Sequence, residues 1–120
     1  MDKTLHMTML FDFFGELLTE KQREYFDLYY NENLSLSEIA ENEGISRQGV
    51  RDIIMRAEAI LLETEKKTGI VKRYTEMQND IAIIEGYLRE INLLNQSRFK
   101  NGRLQELSDN IYQRLQLLKS

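Results

Sequence analysis

The sequence predicts an all-α protein, a trihelical helix-turn-helix bundle without a wing followed by a C-terminal helical hairpin. Three observations carry this expectation. The 120 residues include no proline and six glycines, so little interrupts their helical periodicities. With 42% hydrophobic and 30% charged residues, the composition suits a packed helical protein and not a disordered one. Residues 35–56, SLSEIAENEGISRQGVRDIIMR, spell two capped helices joined by a glycine turn. The length favours one domain, or one small domain plus an appendage. The pattern divides into a helix-turn-helix domain over residues 1–68 and a helical hairpin over 69–120.

The first helix is expected over residues 4–18, with Leu5, Met9, Phe13 and Leu17 on one stripe and Leu10, Phe14 and Leu18 beside it. So wide an apolar face belongs to a helix packed against others. Thr19 caps a second helix, with Gln22 completing its capping box. Tyr25, Phe26, Leu28 and Tyr29 supply its inner face, and Asn31 to Asn33 end it.

Ser35 and Glu38 form the next capping box, and Leu34 and Ile39 sit where a hydrophobic staple clamps the helix start. About two turns follow before Gly44, which lacks the Cβ that opposes a left-handed stop. Ile45 is expected to plug the corner, and Ser46 caps a helix running from Arg47 to about residue 65. The expected core of the motif is Ile39, Ala40, Ile45, Val50 and Ile53, with Gly44 at its turn. In such a motif the start of the second helix reaches base edges in the major groove. Here that surface is Arg47, Gln48 and Arg51.

Lys66, Lys67, Thr68 and Gly69 end the fourth helix with positive charge and a C-cap glycine, marking a hinge. Beyond it Tyr74, Met77, Ile81, Ile84, Leu88 and Ile91 recur at alternating steps of three and four, an a/d stripe over about three heptads. Asn95 falls on the next seam position, where a buried Asn either fixes register or ends the apolar run. Gln96 to Gly102 reads as a turn, and a last helix carries Leu104, Leu107, Ile111, Leu115 and Leu118 on one face. A hairpin alone buries too little, so it is expected to pack partly on the N-terminal domain and partly on a second copy. In the expected homodimer residues 70–118 contribute much of the interface, with the six stripe residues as its seam.

The absence of cysteine excludes disulfides and thiolate chemistry. The one histidine, His6, cannot make a paired-His metal site within a chain. Gly44 and Gly49 lack the flanking pattern of a phosphate-binding loop. Glu38, Glu41 and Glu43 read as a solvated helix face. No enzyme, metal or cofactor is expected. The apolar run from Leu5 to Leu18 carries Asp12 and Glu16 and is too short to span a bilayer, so membrane insertion is not expected and the cytoplasm is the expected compartment. The net charge of −4 is unevenly spread: residues 1–66 hold 7 Lys+Arg against 14 Asp+Glu, whereas residues 67–120 hold 9 against 6. The helix-turn-helix half is the acidic half, although phosphate contacts supply most non-specific DNA affinity.

Residues Leu18 to Arg56 resemble the fourth region of bacterial sigma factors, which reads the upstream promoter element, through LTEKQRE at 18–24, LSEIAENEGISR at 36–47 and VRDII at 50–54. Over the whole length, FDFFGELLTEKQREYFDLYYNENLSLSEIAENEGISRQGVRDIIMRAE with a helical hairpin after it resembles the YlxM-type helix-turn-helix family of Gram-positive bacteria. Members of that family are usually encoded beside the genes for the signal recognition particle GTPases. The resemblance implies a cytoplasmic all-helical protein with a role in protein targeting, and it places Arg47, Gln48 and Arg51 at the base-facing surface. Two functions follow as expectations. One is a dimeric DNA-binding regulator. The other is an interaction module that modulates the signal recognition particle GTPases by contacting the particle's protein or RNA, without sequence-specific DNA binding.

Overall fold

The computed structural model describes residues 2–119, and the described residues contain helices and turns with no strand. They fall into two compact units, Met1–Val71 and Lys72–Ser120. The unit boundary comes slightly after the Gly69 hinge because Val71, 4% exposed, packs into the core of the first unit.

Within the first unit, α1 (Lys3–Phe14) starts on Asp2, whose carboxylate accepts the Leu5 N–H. It is shorter than the sequence pattern, passing into a 3-10 turn at Gly15–Leu17. Its buried face is Met7, Leu10 and Phe14, with Leu18 closing the row after the turn. The stripe of Leu5, Phe13 and Leu17 points outward, 54%, 41% and 60% exposed, so the two candidate stripes are resolved in favour of the second. Thr19 and Gln22 exchange both capping-box bonds at the start of α2 (Glu20–Tyr30). Asn33, at φ +60°, then turns the chain in a conformation that Asn tolerates better than most residues.

The next pair forms as its residues dictate. Ser35 and Glu38 close the capping box of α3 (Leu36–Glu43), and Leu34 packs beside Ile39 as the staple requires. Gly44 sits at φ +69°, and the N–H groups of Gly44 and Ile45 both donate to the Ala40 carbonyl, ending α3 in a left-handed turn. Ser46 then caps α4 (Arg47–Thr68) by accepting the Gly49 N–H at 3.0 Å. One expectation fails here. Ile45 does not plug the corner: it is 38% exposed, because the tight turn lifts it onto the rim above Gly49, with its Cδ1 3.7 Å from where a Cβ on Gly49 would stand. Ile53 is half-buried at the edge of the cluster, while Ile39, Ala40 and Val50 are buried with Tyr25 and Ile54.

Helix α4 is shared by both clusters of the unit. Val50 and Ile54 belong to the helix-turn-helix cluster, and Ala57 and Leu61, one and two turns further on, to the cluster with α1 and Phe26. Phe26 stacks on Phe11 at 4.7 Å and on Tyr30 at 4.4 Å between ring centres, tying α1 and α2 together. Gly69, at φ +63°, ends the helix, its N–H donating to the Glu65 carbonyl.

The second unit is built from α5 (Ile70–Leu94), whose first residues lie in the first unit, and α6 (Gly102–Lys119), joined through a π-turn at Asn95–Phe99. Asn95 is 4% exposed and fixes the connection with two bonds: its Nδ2 donates to the Asn101 carbonyl, and its Oδ1 accepts the Asn101 N–H. Asn101 in turn caps α6 by accepting from Arg103 and Leu104. The six-residue seam is corrected at this point. Ile81 and Leu88 are buried inside the hairpin against Leu115, whereas Tyr74, Met77, Ile84 and Ile91 are 39–45% exposed. The cause is polar. Asn92 accepts from Ser108 and Gln105, and Glu85 accepts from Gln116 and pairs with Lys119, which turns the polar edge of α5 toward α6 and the 77/84/91 edge away.

The left-handed Gly44 gives a direct test. No heavy atom lies within 4 Å of a Cβ built there, so the cost of a side chain is backbone strain and not a clash. Gly44→Val is expected to destabilise the protein by about 1–3 kcal/mol in denaturant unfolding, and Gly44→Asn by less, since Asn tolerates this region. Equal stability of Gly44→Val and wild type would show that the turn is not held left-handed in solution.

Candidate nucleic-acid interface

The Ser46 cap fixes where α4 begins, and so which side chains its first turns display. Arg47 and Arg51 lie one helical turn apart with Gln48 beside them, and all three are exposed. No ion pair engages Arg47 or Arg51 among the described residues, so both guanidinium groups can take a phosphate or a guanine edge in their forked geometry. Gln48 is oriented within the helix, its Nε2 donating to Asp52 Oδ1 at 2.9 Å. Gly49 lies behind this face, where a Cβ would stand 3.2 Å from Ser46 Oγ, tight against the capping oxygen. The glycine thus permits the close Ser46 cap.

Beside this face is an open cleft of about 520 Å³ whose walls include Lys3, Tyr29, Asn33, Leu36 and Arg47. It adjoins a smaller recess of about 220 Å³ that reaches Arg51, Met55 and Glu58. Between the two openings, Tyr30 donates a hydrogen bond to Glu58. Burial first, then that bond and the Glu58 charge, push the Tyr30 hydroxyl above its ordinary range, so it stays protonated under any ordinary condition. The bond anchors α2 to the middle of α4 beneath the cationic face. Lys3 Nζ stands 4.0 Å from the same Glu58 carboxylate but is 78% exposed, an ion pair of little strength.

Four residues escape a reading of the sequence alone. Lys3 and Tyr29 come from distant elements and meet Arg47 only in the fold. Tyr30 and Glu58 are 28 residues apart, and no local pattern joins them. Met55, 48% exposed, was legible in principle, since it lies one turn beyond Arg51 on the same side of α4.

Two capped helices, a left-handed glycine between them and a cationic start to the second define a helix-turn-helix protein. The chain belongs to the UPF0122 family, described as "Putative helix-turn-helix protein, YlxM / p13 like", which it matches over residues 1–107. It is similar to a UPF0122 protein of Thermoanaerobacter sp. strain X514, 52% identical over 80 residues, spanning 67% of this chain and 68% of that one. A UPF0122 protein of Caldanaerobacter subterraneus subsp. tengcongensis is 51% identical over 84 residues, 70% of this chain and 72% of that one. One of Bacillus mycoides strain KBAB4 is 47% identical over 90 residues, 75% and 82% of the two chains. No described helix is long and apolar enough to cross a membrane, and the described residues hold no cluster of metal-ligating side chains.

Two carboxylates of this unit, Glu24 on α2 and Glu43 on α3, lie close together. A hydrogen bond to Glu43, and then repulsion between the two carboxylates, push Glu24 above the usual carboxylate range. Glu43 is the last residue of α3, where the helix dipole also disfavours an anion. With its folded pKa raised, Glu24 binds more proton in the folded than in the unfolded chain between the ordinary carboxylate pKa and the raised one. Stability therefore falls as pH rises through that window. Glu43→Gln is expected to lower the Glu24 pKa in a carboxyl NMR titration and to flatten that part of the stability–pH curve. An unchanged Glu24 titration in the variant would dissolve the pair.

Proposed function

We propose that this protein is a DNA-binding regulator that reads DNA with Arg47, Gln48 and Arg51 at the start of α4. The observation that carries the reading is the pair of unengaged guanidinium groups on a helix start held rigid by the Ser46 cap. In a helix-turn-helix these positions face base edges in the major groove, and Arg is the side chain that most often reads guanine there. Lys3 and Tyr29, across the cleft from Arg47, are suited to the neighbouring phosphodiester backbone. Because residues 1–66 are acidic, one copy gains little phosphate affinity, and recognition calls for two copies on two half-sites, joined through residues 70–118. The compartment that fits this activity is the cytoplasm.

A second reading is favoured by one observation, the excess of carboxylates on the helix-turn-helix unit itself, 14 Asp+Glu against 7 Lys+Arg over residues 1–66, with Glu43 close enough to Glu24 to raise its pKa. An acidic face suits a basic protein partner better than a duplex. Taken with the resemblance to the YlxM-type family, it points to a module that contacts the signal recognition particle's protein or RNA and modulates its GTPases.

Gel shifts against a genomic fragment library separate the two readings. DNA binding predicts retarded fragments, a steep loss of affinity with added salt, and a loss of about 1–3 kcal/mol in each of Arg47→Ala and Arg51→Ala with helix content unchanged. Absence of any retarded fragment at low salt contradicts it. Recovery of a targeting GTPase or its RNA in a native pull-down that Arg47→Ala leaves intact supports the second reading.

A further inference from the structure

We infer that one edge of the C-terminal hairpin is a docking surface for a second copy of this chain, completing a four-helix bundle. The inference deepens the pairing in the regulatory reading and rests on no contact with DNA. The polar bonds Asn92–Ser108 and Glu85–Gln116 place one edge of α5 and one edge of α6 side by side. In an antiparallel pair the opposite edges then also share a side. On α5 that edge is Met77, Ile84 and Ile91, and on α6 it is Leu104, Ile111 and Leu118, all 40–56% exposed.

Three features make a second copy the occupant. Among the described residues the hairpin buries Ile81, Leu88 and Leu115 as its apolar core, too small a core for a folded unit. The six edge residues repeat every seven positions on both helices, and Met77 with Leu118, Ile84 with Ile111 and Ile91 with Leu104 stand equally far from the Asn95–Asn101 turn to within a residue. They therefore make three apolar rungs, and the face that matches three rungs at heptad spacing is another set of the same rungs, brought in by a two-fold axis. The area also suffices, since six half-exposed side chains from each copy bury on the order of 1,000 Å² in all, the least that a specific interface needs. The polar edge at Glu85 and Asn92 is already satisfied internally and offers no comparable surface.

Light scattering of the full chain without DNA tests the pairing, and dimers at micromolar concentration are the expected result. Ile84→Asp and Ile111→Asp are each expected to give monomers, because an unpaired carboxylate on a dry seam is disfavoured. Since those variants could also lose fold, single cysteines in this cysteine-free chain provide a second measure. The thiol of Ile84→Cys is expected to react with a disulfide reagent several-fold more slowly as protein concentration rises. That of Ile83→Cys, on the outward back of α5 and 52% exposed, is expected to react equally fast throughout. A wild type monomeric at high micromolar concentration overturns the inference. So does a dimer in which the Ile84→Cys thiol reacts as fast as the Ile83→Cys thiol. An Ile84→Cys thiol that is slow at every concentration overturns it too, by showing that the chain covers its own edge. Loss of DNA binding with the dimer intact would count against the regulatory reading alone.

Discussion

Burial of one stripe on α4 is the constraint on which the first unit depends. Val50, Ile54, Ala57 and Leu61 follow one another at helical spacing, and each is 0–3% exposed. The first two close the helix-turn-helix against Tyr25 and Ile39, and the last two receive Met7, Leu10, Phe14 and Phe26. A single helix therefore carries two duties, since its first turns display Arg47, Gln48 and Arg51 while its middle is locked into the core. The small side chain of Ala57, 0% exposed, is buried among residues of α1 and Phe26 of α2. Full burial of an aliphatic side chain is worth about 1.5–3 kcal/mol, so this stripe outweighs every exposed ion pair in the protein.

Electrostatics act locally against this frame. The first unit is acidic as a whole, and carboxylates stand beside its arginines too: Glu38 lines the larger cleft with Arg47, and Glu58 the smaller recess with Arg51. At physiological ionic strength fields fade over about 8 Å, so the carboxylates that share these clefts weigh on the start of α4 more than remote ones do. In the proposed regulator, two copies on two half-sites offset the affinity that this acidity costs one copy.

Much of this fold is legible in the sequence, wherever the chemistry is local. Thr19 with Gln22, Ser35 with Glu38, Ser46, Gly44 and Gly69 each decide a helix end by a bond or a dihedral within a few residues, and each stands where its pattern places it. The phases of α1 and α5 are less legible. Both carry apolar residues on more than one stripe, and which stripe turns inward depends on partners far along the chain. In α1 the row of Met7, Leu10 and Phe14 meets Phe26, leaving Leu5 and Phe13 outside. In α5 the Asn92 and Glu85 bonds to α6 draw Ile81 and Leu88 inward and leave Ile84 and Ile91 at the rim. Ile45 misleads for another reason, since its place in the motif suggests a plug while the geometry of the Gly44 turn carries it to the surface. At the reading surface, the arginines follow from spacing after a cap, but the cleft with Lys3 and Tyr29 exists only once α1 and α2 are packed.

Amide hydrogen exchange along α4 tests most directly whether the start of α4 is held by the core. If one buried stripe unites the two clusters, the amides of Val50, Ile54, Ala57 and Leu61 open together, at the free energy of global unfolding, and destabilising the α1 side by Leu10→Ala speeds exchange at Val50 as much as at Leu61. Rapid, independent exchange over residues 50–56, with 57–65 still protected, would contradict this by showing that the helix-turn-helix opens on its own and that the start of α4 is not held by the core behind it.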